Sequence, residues 1–184
     1  MTSIIKVDNI QHSSGTNALT TDSSGVVSRS LVPAFFLTLG TSADSRTATA
    51  EAAIPFAVQS DSGSNSTYIQ GGMTVSNGVV TVPKTGLYYF NAVGRFDSVA
   101  QNNWVRLGLS TDSETLFNSA NTYQTLRLNP TLLGTVYGGY EPICVSAVLK
   151  LNANQTIEAR ASVYTDTAWS ISPYDSHFTG YFIG

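Results

Sequence analysis

The side chains that most often carry chemistry are few in this chain: two histidines, His12 and His177, one cysteine, Cys144, and twelve carboxylates. Nucleophilic hydrolysis needs a serine or cysteine with a base beside it. No G-x-S-x-G turn occurs, and the 23 serines offer no spacing that singles one out. His177 directly precedes the alternating segment Phe178-Thr-Gly-Tyr-Phe-Ile, where a surface or interface position fits better than a catalytic one. A lone cysteine can form neither an intrachain disulfide nor a cysteine-cluster zinc site. At the head of a stripe starting at Val145, Cys144 is expected as a small buried apolar side chain. Gly71-Gly72 and Gly138-Gly139 read as bends or bulges, not as phosphate cradles. Asp61, Asp97, Asp112, Asp166 and Asp175 fall in loop-like text, where aspartate ordinarily forms turns. The expectation is a protein with no catalytic residue, no metal and no cofactor.

A second group of residues points to binding. Tyr137, Tyr140, Trp169 and Tyr174 are large amphipathic side chains in loop-like stretches, with neutral hydrogen-bonding neighbours. Such residues suit a ligand surface for a glycan or protein. They equally plug the ends of a sandwich and the seams between subunits, which is the commoner use.

The elements that must position these residues are strands. With only 4 Glu and 3 Lys against 23 Ser, 22 Thr and 12 Asn, the chain lacks the residues that fill exposed helix positions. A length of 184 residues suits one domain, or one domain with an arm. A net charge of −3 without a basic run argues against nucleic acid as a partner. The longest apolar stretch, Val32-Pro-Ala-Phe-Phe-Leu, is far short of the roughly 20 residues that span a bilayer, so no membrane partner is expected. The first residues lack the apolar stretch of a signal peptide, so the chain is expected to be made and left in a cytoplasm.

Residues 1–31 carry Ile4, Ile5, Val7 and Ile10 and then turn to small polar residues without an aromatic. The stretch is too poor in apolar residues for a core of its own. It reads as an extended arm, either loose or docked on a partner through those four side chains. From residue 32 onward, alternation with period two takes over. Ile157, Ala159, Ala161 and Val163 alternate with Thr156, Glu158, Arg160 and Ser162, a strand expected to have one wet side. Val105, Leu107 and Leu109 form a second stripe, and Val145, Ala147, Leu149 and Leu151 a third. Asn77-Gly78 between alternating runs is a strong signal for a tight hairpin. Eight to ten such strands read as a β-sandwich. Two strands are apolar on both faces. Tyr88, Phe90 and Ala92 oppose Leu87, Tyr89 and Val93, and Phe178 and Phe182 oppose Tyr181 and Ile183. A sandwich has nothing of its own to cover an outer face, so Leu87, Tyr89, Tyr181 and Ile183 are expected at an interface between subunits.

Several segments carry a more specific likeness. Gly78, Pro83, Gly86, Tyr88 and Phe90 keep the spacing of the signature of the complement-q globular head, and Val80 stands where that family usually has phenylalanine. Pro33-Ala-Phe resembles its first strand, Ile54-Pro-Phe-Ala the short strand that follows, and Tyr68 the tyrosine before its hairpin. Ala147-Val-Leu-Lys-Leu-Asn-Ala-Asn-Gln-Thr-Ile resembles a later strand pair, with Asn154 and Gln155 replacing Gly and Asp. Phe178-Thr-Gly-Tyr-Phe-Ile resembles the closing strand. The likeness spans roughly residues 33–184. It implies an all-β, ten-stranded jelly-roll sandwich of the complement-q and tumour-necrosis-factor type, assembled as a homotrimer. The N-terminal stretch, Ile5-Lys-Val-Asp-Asn-Ile-Gln and onward, is similar to leaders of small appendage proteins in tailed phages of aquatic bacteria.

Together the resemblances imply a virion protein: a trimeric knob, cement or short fibre, with arm 1–31 bound to capsid, neck or tail proteins and head 32–184 displayed. Thirty-one residues reach at most about 100 Å, which favours a short appendage. The alternatives are a host-recognition adhesin that binds a surface glycan or protein, and a secreted complement-type binding module.

Overall fold

A computed structural model describes residues 9–11, 17–21, 23–25, 27–29, 32–40, 42–46, 51–59, 67–97, 105–113, 122–128, 142–163 and 168–184. All regular structure among them is β-strand, and no helix occurs. The chain divides into two compact units, Met1–Val32 and Pro33–Gly184.

In the first unit, β1 (Asn9–Gln11), β2 (Asn17–Thr21) and β3 (Val27–Arg29) form an antiparallel sheet in that order. The sequence suggests an unpaired extended stretch here, but its strands pair with one another. Folding back lets the backbone donors and acceptors of these short segments pair with one another along β2. Gly25, with φ of 79°, stands in the return from β2 to β3. Ile10 lies in β1 opposite Leu19; Ile4, Ile5 and Val7 lie outside the described residues.

The second unit contains two antiparallel sheets. The first holds β4 (Ala34–Thr38), β5 (Asp44–Arg46), β7 (Tyr68–Gln70), β10 (Gly86–Asp97), β13 (Pro142–Leu151), β15 (Trp169–Ile171) and β16 (His177–Phe182). Their order is β5-β15-β10-β16-β4-β7, with β13 along the other edge of β10. The second sheet holds β6 (Ala52–Ala53), β8 (Thr74–Ser76), β9 (Val79–Thr81), β11 (Val105–Thr111), β12 (Thr122–Leu128) and β14 (Thr156–Val163). Its order is β12-β11-β14-β9-β8, with β6 also paired to β14.

The two sheets share one apolar core, an arrangement consistent with a β-sandwich. Phe35, Leu37, Tyr88, Phe90 and Phe178 enter it from the first sheet, and Leu107, Leu109, Ile157, Ala159 and Ala161 from the second. Phe35 and Phe178 meet edge to face at 4.8 Å. The three stripes read from the sequence all point inward.

The hairpin between β8 and β9 turns at Asn77 and Gly78, whose φ angles of 53° and 81° are those of the tight turn that the dipeptide predicts. Gly78 is also pressed against the chain, since a Cβ there would sit 1.9 Å from the Ile54 carbonyl oxygen. Gly78→Ala should therefore cost about 2–4 kcal/mol, combining the left-handed backbone penalty with the overlap. Gly72→Ala has a similar φ of 83°, but its nearest neighbour is Pro83 at 3.2 Å. It should lose about half as much. Urea unfolding of both variants checks this, and equal losses would remove the clash from the account.

The polar side of β14 is not wet, contrary to its alternation. Glu158 is 1% exposed, and Ser162 is equally buried. Arg160 lies on that face, its Nη1 donating to Glu158 at 2.5 Å, its Nε to the Glu51 carboxylate at 3.0 Å and its Nη2 to the Glu51 carbonyl at 3.3 Å. Charged groups tolerate burial when paired and hydrogen-bonded in this way.

Candidate functional site

The alternation of β10 builds the candidate site. Tyr88, Phe90, Ala92, Gly94 and Phe96 enter the core, so Leu87, Tyr89, Asn91, Val93 and Arg95 project from the opposite face. Strand register then extends that face into rows. One row runs Val148, Tyr89, Tyr181, Ala34, Gln70; the next runs Ser146, Asn91, Thr179, Phe36, Tyr68; a third runs Cys144, Val93, His177, Thr38. Ile183 continues beyond β16 beside Leu87, donating its N–H to the Leu87 carbonyl at 2.8 Å.

This face carries a group of large apolar side chains that no strand among the described residues of the second unit covers. Tyr68, Leu87, Val148, Tyr181 and Ile183 on it are each between 43% and 57% exposed, while Tyr89, Phe36 and Val93 are half-buried. Tyr89 and Tyr181 are cross-strand partners with ring centroids 5.3 Å apart. All four residues expected at a subunit interface, Leu87, Tyr89, Tyr181 and Ile183, thus stand together on one surface. Val148, Phe36 and Tyr68 join them. Their signal was present in the sequence: the adjacent aromatics Phe35-Phe36 must point to opposite faces of a strand, and Val148 has opposite parity to Val145 and Leu149.

Few charges occur on the face. Lys150 lies at one end, opposite Leu87. Arg95 lies at the other, where its guanidinium pairs with Asp175 at 2.5 Å and Asp97 at 3.3 Å. His177 stands between Val93 and Thr38, half-buried and stacked on Phe36 at 5.4 Å. Burial lowers the imidazole pKa from its usual value. The unfolded chain therefore takes up this proton more readily than the folded one. The stability His177 contributes is complete above about pH 6.5 and is lost as pH falls through the folded pKa. Urea midpoints measured from pH 7.5 to 5 should fall in wild type and fall less steeply in His177→Gln.

Cys144 is exposed on this same face, and Asn91 donates to its sulfur at 3.0 Å. That corrects its expected burial: the stripe that begins at Val145 excludes its immediate neighbour by parity.

The residues expected at a ligand surface separate. Trp169 is 2% exposed, packed against Phe96 at 5.7 Å and under the Arg46 guanidinium at 5.4 Å. It is a core residue, because Trp169 is the first residue of β15 and faces inward. Tyr174 is 83% exposed, on a bend between β15 and β16. The bend is anchored at both ends: Ser172 N–H donates to the Arg95 carbonyl at 2.8 Å, and Arg95 N–H donates to Ser176 Oγ at 3.0 Å. Tyr137 and Tyr140 lie outside the described residues. Among the described residues, no group of three or more His, Cys, Asp or Glu converges as a metal site would. No protein-family model matches the chain, and no curated protein matches it.

Proposed function

We propose that this chain is a structural protein of a bacteriophage virion, a homotrimeric knob, cement or short fibre displayed on the particle surface. The observation that carries the assembly is the uncovered face around Tyr89 and Tyr181. Exposed large apolar residues gathered on one sheet face mark an interaction surface, and tyrosine suits a surface that is wet before assembly and covered after it. The order of the two sheets supports a jelly-roll head, because strands distant in sequence, such as β4 and β16, are neighbours. The separate N-terminal unit supports a division between docking segment and head. The likeness of that segment to phage leaders is the ground for placing the protein on a virion, bound to capsid, neck or tail proteins.

The native mass at low micromolar concentration tests the assembly. A species near three times 19.6 kDa is expected, and a monomer would overturn it. Immunogold labelling with an antibody to the head tests the location. Label on phage particles is expected, and label confined to a cell envelope would remove the virion assignment.

A second reading, an adhesin, is favoured by Tyr174, an exposed aromatic on an anchored bend. Binding of the head to host polysaccharide that Tyr174→Ala abolishes would establish it.

A further inference from the structure

The geometry points to assembly that is controlled by protons: acid separates the subunits that join through this face, and His177 is the group that takes up the proton. The inference rests on the reading that a second copy of the chain covers the face. Charge favours that occupant. Apart from the histidine, the charged side chains on or bordering the face among the described residues are Lys150 at one end and, at the other, Arg95 with its partners Asp97 and Asp175. Two copies of this acidic chain can meet there over a stretch with few charges to desolvate, whereas a polyanion would find no cationic track.

His177 is placed to sense that meeting. Its ring lies on the outer face, stacked on Phe36 from β4. Beside it are Val93 from β10 and Thr38 from β4, and the next position on its own strand is Thr179. Beyond Val93 lies Cys144 of β13, and beyond Phe36 lies Tyr68 of β7. The nearest fixed charge along β10 is Arg95, whose guanidinium is engaged by Asp97 and Asp175. No carboxylate forms an ion pair with the imidazole among the described residues. A proton taken up here places a cation beside Phe36 and Val93, and a second copy laid over it withdraws the remaining water. The assembled state therefore binds fewer protons than the free subunit, and mass action separates the copies as pH falls. If covering the ring weakens proton binding about tenfold, three histidines reduce trimer association about a thousandfold in acid.

The experiment is native mass of the full chain at low micromolar concentration, at pH 7.5, 6.5 and 5.0, with far-UV circular dichroism on the same samples. Wild type is expected to be assembled at pH 7.5, and folded but dissociated at pH 5.0, reversibly. His177→Gln is expected to stay assembled throughout, and His177→Phe serves if the glutamine variant does not fold. Assembly at pH 7.5 that persists at 5.0, or that falls equally in wild type and variants, overturns the switch and leaves the interface standing. Dissociation only together with loss of the β spectrum also overturns it, since unfolding then explains the change. A wild-type monomer at pH 7.5 overturns the interface itself.

Discussion

Replacing Tyr89 and Tyr181 together by glutamate is expected to yield a folded monomer. The two side chains are cross-strand neighbours 5.3 Å apart on the outer face, and neither enters the core. In the isolated subunit the substitutions place two carboxylates in water, at a cost of about 1 kcal/mol from their mutual repulsion. In an assembly the same carboxylates are buried in each copy without a partner, which should weaken association by about a thousandfold or more. Native mass and circular dichroism read the two effects separately. Tyr174→Glu is the control, because that side chain projects from a bend and should leave the mass unchanged. A double variant with the mass of an assembled wild type would show that the subunits meet elsewhere.

Arg160→Met should be among the most destabilising single changes in the head. The arginine and its two carboxylate partners are nearly covered, with side-chain exposures of 11% for Arg160, 7% for Glu51 and 2% for Glu158. Removing the cation leaves two acids on a buried face, and breaking such a group ordinarily costs about 3–5 kcal/mol. At roughly 2–4 °C per kcal/mol for a chain of this size, the melting temperature should fall by about 6–20 °C. Adding Glu158→Gln to Arg160→Met should restore part of the loss, since much of it is the stranded charge. A single variant that melts within about 2 °C of wild type would mean that water reaches these groups.

Alternation made the inner faces of the head legible before any coordinates. The stripes ending at Leu109, Leu151 and Val163 all enter the core, and Asn77-Gly78 turns as its backbone preferences dictate. The outer face was legible in part, because Tyr89 and Tyr181 interrupt a pattern that should be polar there. Within residues 33–184, three expectations fail for identifiable reasons. Trp169 reads as loop because β15 spans only three residues, too few to show a period. The residue type of Cys144 suggests the core, whereas its parity places it outside. The polar side of β14 reads as wet, since alternation reports that a face is polar but not whether it is covered. Glu51, one of the acids that neutralises it, lies more than a hundred residues away in sequence. No local pattern can reveal such a partner.

The position of β16 carries a consequence for how the head is made. This strand lies between β10 and β4, and Thr179 reaches back 144 residues to donate to the Phe35 carbonyl. Of the described strands it is the last to leave the ribosome, yet the first sheet cannot close without it. Until then β4 is paired only with β7, and β10 lacks its partner along Tyr88–Val93; both are aromatic and prone to wrong pairing. Folding of the head must follow translation of its whole length and should be slow, as non-local sheets are. A nascent chain halted before His177 should be protease-sensitive and bound by chaperones, so the late arrival of one strand sets the time at which the head first exists as a folded unit.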